Sequence, residues 1–243
     1  MTTPASNTPF AVINDAYFDA ALKQLSDDLN GEQLANGMRR LCDVINFSQT
    51  TGLKMFAWQD VPVPLTAGTA VYTFLPGGSV DMTKPLRVLE AFYLYTATNV
   101  RRPLSVLAMR DYYQLGQAGT LTSNRGTISQ YYVEKLYNQM KVTFWQCPDD
   151  TEADNGAAHV IVQGQIANVT ELDETIQFPA EWRMFLRWAL AYDLATGQPQ
   201  AIIDRCEKNR DQCRMVLEDW DVEDAPFQFT PDPRASQDVG GFR

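Results

Sequence analysis

Histidine is nearly absent from this chain: His159 is the only one in 243 residues. A single imidazole rules out sites built from several histidines, and it leaves one position for a histidine base. Cysteine is also scarce. Cys42, Cys147, Cys206 and Cys213 form no Cys-x-x-Cys pair, so the usual spacing of a zinc ribbon or redox pair is missing. Cys206 and Cys213 fall two turns apart on one expected helix, roughly 10 Å by rise, beyond the ~7 Å that a disulfide tolerates. The reading is four reduced thiols in a cytosolic setting, mostly buried as small hydrophobes. No run approaches ~18 consecutive apolar residues, so no membrane-spanning helix is expected. The opening MTTPASNTPF has neither a basic nor an apolar stretch of the kind a secretory leader needs. Positive charge is short: 20 Lys and Arg stand against 30 Asp and Glu, a formal net charge of −10 with pI near 4.6. A protein that grips phosphates needs a basic stripe, and an acidic wall repels them instead.

What is present is an ordinary globular composition, 45% hydrophobic and 11% aromatic, arranged in three stretches of different period. Ile13, Tyr17, Ala21 and Leu25 predict a first helix. Asn30-Gly31 breaks it and caps a second one, Glu32 to Gln49, whose stripe is Leu34, Met38, Leu41 and Ile45 and whose end falls at Gly52. From Phe56 the period becomes two. Val61–Pro64 and Thr69–Phe74 read as strands around Thr66-Ala-Gly, the first demoted to an edge by Pro62 and Pro64. Arg87–Tyr95, Arg101–Leu104, Ile128–Glu134, Lys141–Trp145 and His159–Gln165 read as further strands. Val106–Leu115 reads as a short helix and Pro148–Gly156 as an acidic loop. Helices return at Pro179, with Ala180–Ala195 apolar on most sides and Gln200–Trp220 as the last. The expected fold class is α+β. Its parts are N-terminal helices (1–55), an inserted antiparallel β-rich region (56–178), C-terminal helices completing an antiparallel helical unit (179–220), and an extended arm (221–243) too poor in apolar residues for a core of its own.

Chemistry is sparse. No Gly-x-Ser-x-Gly, His-Glu-x-x-His or phosphate-loop motif is present, and no catalytic, metal or cofactor site is expected. His159, on a strand, reads as structural. Asp149, Asp150, Glu152 and Asp154 lack the spacing of a calcium loop and read as a solvated acidic loop. Asp173 and Glu174 are adjacent acids in a polar loop. Arg101-Arg102 reads as a solvated strand edge, the alternative being a contact to an acidic neighbour. Tyr112-Tyr113 and Tyr131-Tyr132, without interleaved Lys or Arg, read as core positions rather than base-stacking platforms. The rival enzymatic reading is a phage-associated, peptidoglycan-degrading enzyme using a carboxylate pair drawn from Glu134, Glu171 and Glu181.

The order of landmarks carries more. Trp58-Gln-Asp-Val-Pro-Val-Pro-Leu-Thr-Ala-Gly-Thr-Ala-Val-Tyr-Thr follows the helix pair. Lys84-Pro-Leu-Arg-Val, Arg102-Pro-Leu, Ile128-Ser-Gln-Tyr-Tyr-Val and Val142-Thr-Phe-Trp-Gln-Cys-Pro-Asp come next. Phe178-Pro-Ala-Glu-Trp-Arg-Met-Phe-Leu-Arg-Trp-Ala-Leu-Ala, Gly197-Gln-Pro and Leu217-Glu-Asp-Trp-Asp-Val-Glu-Asp-Ala-Pro close the run. Over roughly residues 10–227 this resembles the head-to-tail adaptor, or tail accessory factor, family of short-tailed phages, the gene-4-like connectors beneath the portal. The resemblance implies a non-enzymatic virion protein of the tail or neck, assembled in the host cytoplasm. It implies a dodecameric ring that lines the DNA ejection channel without sequence-specific binding. Its implied partners are the portal protein, tail nozzle or tail fibre proteins, and further copies of itself, with no membrane. The stretch matching the family's portal-docking arm holds Phe227, Phe229, Pro231, Pro233, Arg234, Phe242 and Arg243. A tail or neck protein contacting fibres is the nearest structural alternative.

Overall fold

Helix formation begins at Thr8, whose side chain accepts from the Ala11 amide and caps α1 (Pro9–Asp19). The computed structural model describes residues 7–51, 55–115 and 124–220. α1 ends six residues before the expected Leu25. Ala21 takes a φ of 56°, which a helix cannot continue through, so Leu22 and Leu25 leave the stripe and stay exposed. Asn30 caps α2 (Gly31–Ser48) with a full capping box: its side chain accepts from the Gln33 amide and the Gln33 side chain accepts from its own amide. α2 stops at Ser48 with Gln49 as its C-cap; the expected stop, Gly52, lies outside the described residues. Gly37 of α2 sits against α1, where a Cβ would come within 2.6 Å of Ile13 Cγ2.

A 3-10 turn, Met55–Ala57, leads into β1 (Trp58–Pro64), followed by β2 (Val71–Leu75), β3 (Val80–Asp81), β4 (Arg87–Tyr95) and β5 (Arg101–Leu107). α3 (Met109–Gln114), β6 (Arg125–Gly126), β7 (Gln130–Lys135), β8 (Met140–Trp145), β9 (Cys147–Pro148), α4 (Asp150–Asn155) and β10 (Gly156–Gln163) follow. Eight of these strands form one sheet in the order β1-β10-β4-β5-β7-β8-β2-β3. It curls until it is nearly barrel-shaped.

The sheet is the body of the fold, which corrects the expectation of a helical unit with an inserted antiparallel region. It is also mixed. β5 runs parallel to β7, and β2 parallel to β3. A short helix, α3, follows β5, and a parallel partner needs such a crossover where a hairpin would give an antiparallel one. β1 and β2 do not pair around Thr66-Ala-Gly. β1 pairs with β10 at the sheet margin and β2 with β8. The acidic stretch expected as a loop is instead α4, which Asp149 caps by accepting from the Glu152 amide.

Two clusters of buried side chains result. One fills the concave side of the sheet with Val63, Tyr72, Phe74, Tyr93, Met140, Phe144 and Val160. The other joins α1, α2, α5 (Arg183–Leu194), α6 (Gln200–Trp220) and the connection 166–178 around Ile13, Leu41, Trp182, Leu186 and Leu190. Trp182 closes the short 3-10 turn Ala180–Trp182 and tilts against Phe56, Phe178 and Phe185, with ring centroids 5.6–5.7 Å away. That aromatic set ties α5 to the turn that starts β1. Gln49 and Gln163 complete the join: the Gln163 side chain donates to the Gln49 carbonyl (3.3 Å), and the Gln49 side chain accepts from the Ile166 amide (2.8 Å).

Candidate functional site

Several of the side chains singled out for chemistry are held by structural contacts. His159 Nδ1 lies 2.8 Å from Asp60 Oδ1 on β1, and its ring stacks on Phe92 of β4 at 5.0 Å. Arg101 lies over the same Phe92 ring at 4.8 Å. These residues make a cross-strand ladder over β1, β10, β4 and β5 rather than a base in a cleft. Arg102 departs from the expected solvated edge. β5 is an inner strand, and Arg102 turns inward to donate to Glu152 (2.8 Å), the Ile128 carbonyl (3.0 Å) and the Tyr95 hydroxyl (2.7 Å). Its acidic neighbour belongs to its own chain. Tyr93 donates to the Glu152 carbonyl at 2.7 Å. Burial first, then the Glu152 charge, pushes its phenol up to about 12.

The acids of α4 therefore do not converge on a cation. Asp149 caps the helix and Glu152 pairs with Arg102, and no group of three metal-ligating side chains occurs among the described residues. Glu174 accepts from the Thr170 and Glu171 amides and closes the turn there, while Asp173 faces solvent. Glu134 lies 3.8 Å from Lys141 across β7 and β8, Glu171 sits in the connection, and Glu181 precedes α5. The sheet, the connection and the helix start keep these three acids on separate elements. Tyr112 stacks on Tyr132 at 4.5 Å with Tyr113 edge-on, and Tyr131 is buried in the sheet cluster. All four cysteines are free thiols, Cys147 and Cys206 buried and Cys42 and Cys213 half-buried. The arm residues Phe227, Phe229, Pro231, Pro233, Arg234, Phe242 and Arg243 lie outside the described residues.

The surface with functional character is on the helices. At 100° per residue, α6 turns Arg210, Arg214 and Glu218 to one flank and Arg205, Gln212 and Val216 to the other, with Cys206 and Leu217 facing the core between them. The first flank borders a groove of about 480 Å³ shared with α2 and α5, where Phe47 is 70% exposed. Four of its charges pair with one another, Arg40 with Asp193 at 2.9 Å and Arg214 with Glu218 at 2.7 Å, while Arg210 covers the Tyr192 ring at 4.1 Å. The second flank carries two hollows. One, about 730 Å³, gathers Phe18, Leu22, Leu25, Trp188 and Arg205 where α1 ends. The other, about 410 Å³, is a seam between α5 and α6 lined by Met184, Cys213, Val216 and Leu217, together with Glu181 and Gln212. Met184 and Trp188 are one turn apart on α5, so the two hollows adjoin.

A node that sequence reasoning missed anchors this surface. Asp15 and Asp19 of α1 meet Arg183 and Arg187 of α5 in register. Arg183 donates to Asp15 and Arg187 to Asp19, both at 2.7 Å. Arg205 of α6 donates to the Asp19 carbonyl. The hydrogen bond to Asp19 raises the Arg187 pKa above its ordinary value, against the lowering by burial. The signal was legible as two four-residue spacings of opposite sign on two expected helices.

No protein-family profile matches the chain, and no curated protein matches it.

Proposed function

We propose that this chain is a structural head-to-tail adaptor of a short-tailed phage, a ring subunit seated under the portal that lines the DNA exit channel and receives tail components below. The observation that carries the reading is the order of landmark segments over residues 10–227, together with an acidic segment after Trp220 that bears Phe227, Phe229 and Phe242. Two further features support it. The helices expose large apolar side chains in more than one place, Phe18, Phe47, Met184 and Val216 among them, as suits a subunit with several neighbours. The net charge of −10 suits a wall past which DNA slides without sticking.

Docking through the arm follows from its composition. Each buried Phe contributes about 1.5–3 kcal/mol, which offsets part of the ordering cost of about 1–2 kcal/mol per residue. Twelve copies in a ring turn a weak arm into a firm joint. The test is truncation after Trp220, followed by circular dichroism and a portal pull-down. The shortened chain keeps its helical and strand signal and loses at least about tenfold in portal capture. Undiminished capture would remove the arm from the docking role.

A further inference from the structure

The seam between α5 and α6 is apolar and open. Met184 is 57% exposed and Val216 69%, and Cys213 and Leu217 form its floor. It opens beside the last turn of α6: Val216 precedes Trp220 by four residues, about 6 Å of helical rise. The 23 residues that follow Trp220 therefore start at the mouth of this seam. The first aromatic side chains in them are Phe227 and Phe229. Seven residues of chain span up to ~23 Å, ample for Phe227 to turn back one or two turns of helix.

We propose that residues 221–229 fold back on their own subunit and seat Phe227 and Phe229 in this seam, making it the resting place of the arm. The occupant is the chain's own segment because of the tether. A side chain linked by fewer than ten residues meets the seam at an effective concentration of roughly millimolar, which a second copy or another protein does not reach in dilute solution. Chemistry agrees. The seam offers methionine, valine, leucine and a thiol, surfaces that take aromatic rings well, sulfur included. The acids that would be costly to bury, Asp221, Glu223 and Asp224, lie between the helix end and the anchors, where they stay in water. On this arrangement the arm of a free subunit is held in reserve, and any partner that takes the two Phe anchors must first draw them from the seam. The proposal stands independently of the adaptor reading, because it concerns the isolated chain.

The test uses the full chain with Gln228→Cys, which leaves both Phe anchors in place and puts a thiol between them. A short bismaleimide then joins it to native Cys213, and mass spectrometry reads the link on a mixture of isotope-labelled and unlabelled chains. The control is Ala235→Cys. Tether length alone favours position 228 over position 235 by about threefold, from the −3/2 power of eight against fifteen residues. Seating in the seam predicts an excess above roughly tenfold, all of it within one chain, and its fall to the tether value when Val216→Glu or Met184→Glu is added. Both of those positions are exposed enough for the helices to persist, which circular dichroism checks. An excess near threefold overturns the proposal, as does one that survives both charged substitutions. Links between labelled and unlabelled chains overturn it in favour of a second copy as occupant. Portal capture is not read in this experiment, so its failure and the failure of the adaptor reading are separate results.

Discussion

Asp19 shows how much one side chain holds at the helical end of the molecule. It is 5% exposed, its carboxylate is gripped by Arg187, and its carbonyl receives Arg205 and the Cys206 thiol. Asp19→Ala leaves Arg187 facing a void. A fully buried broken pair costs about 3–5 kcal/mol. Arg187 keeps a quarter of its side chain in contact with water, so the expected loss is smaller, about 2 kcal/mol in urea unfolding. A loss under about 0.5 kcal/mol would class the pair with surface bridges. Tyr93 gives a pH dependence at the other core. Its phenol stands at about 12 against an ordinary 10.0, because burial disfavours the phenolate and the Glu152 charge adds to this. The folded state therefore holds the proton longer than the unfolded chain does. Its contribution to stability is intact below pH 10 and is lost as pH rises toward 12. Tyr93→Phe loses the hydrogen bond to the Glu152 carbonyl, about 1 kcal/mol at neutral pH. It also loses this sensitivity, so the stabilities of the two proteins converge between pH 10 and 12. Curves that stay parallel would show that Tyr93 does not titrate with unfolding.

At the scale of elements, local signals were readable and partner choice was not. Asn30 caps α2 as its sequence implied, β4 spans Arg87–Tyr95, β7 and β8 overlap the expected strands Ile128–Glu134 and Lys141–Trp145, and α6 spans Gln200–Trp220. Each of these rests on a cap, a turn or a period within a few residues. The parallel β5–β7 pairing, the placement of β1 beside β10, and the sheet as the body of the fold depend on contacts across the chain, which no local period encodes. α4 was missed because six residues are too short for a stripe. The candidate site was legible in part. The apolar character of α5 was plain in sequence, whereas the hollows flanking α6 exist only once α1, α5 and α6 meet. Gly156 offers an element-scale test, since it begins β10 where that strand passes β4. A Cβ there would lie 2.1 Å from the Leu94 carbonyl and 2.6 Å from the Tyr93 hydroxyl. Gly156→Ala must push β10 from β4 and is expected to cost about 1–3 kcal/mol. An unchanged melting curve would mean that the strand start yields freely.

The described residues form a curled mixed sheet joined to a helical cluster through Phe56, Trp182, Gln49 and Gln163, with apolar grooves on the helices. On the proposed reading, apolar grooves on the helices suit a subunit that folds first and finds neighbours later. Neighbouring copies and the portal then cover the grooves that the arm does not occupy, and the acidic balance of 30 acids against 20 basic residues keeps the channel free of bound DNA. The most direct measurement is electron microscopy of the full chain mixed with the portal protein of the genome that encodes it. The adaptor reading predicts portal rings carrying a second ring of density on the tail-facing side, one copy of this chain per portal subunit. Bare portal rings beside unattached chain, at concentrations well above micromolar, would contradict it.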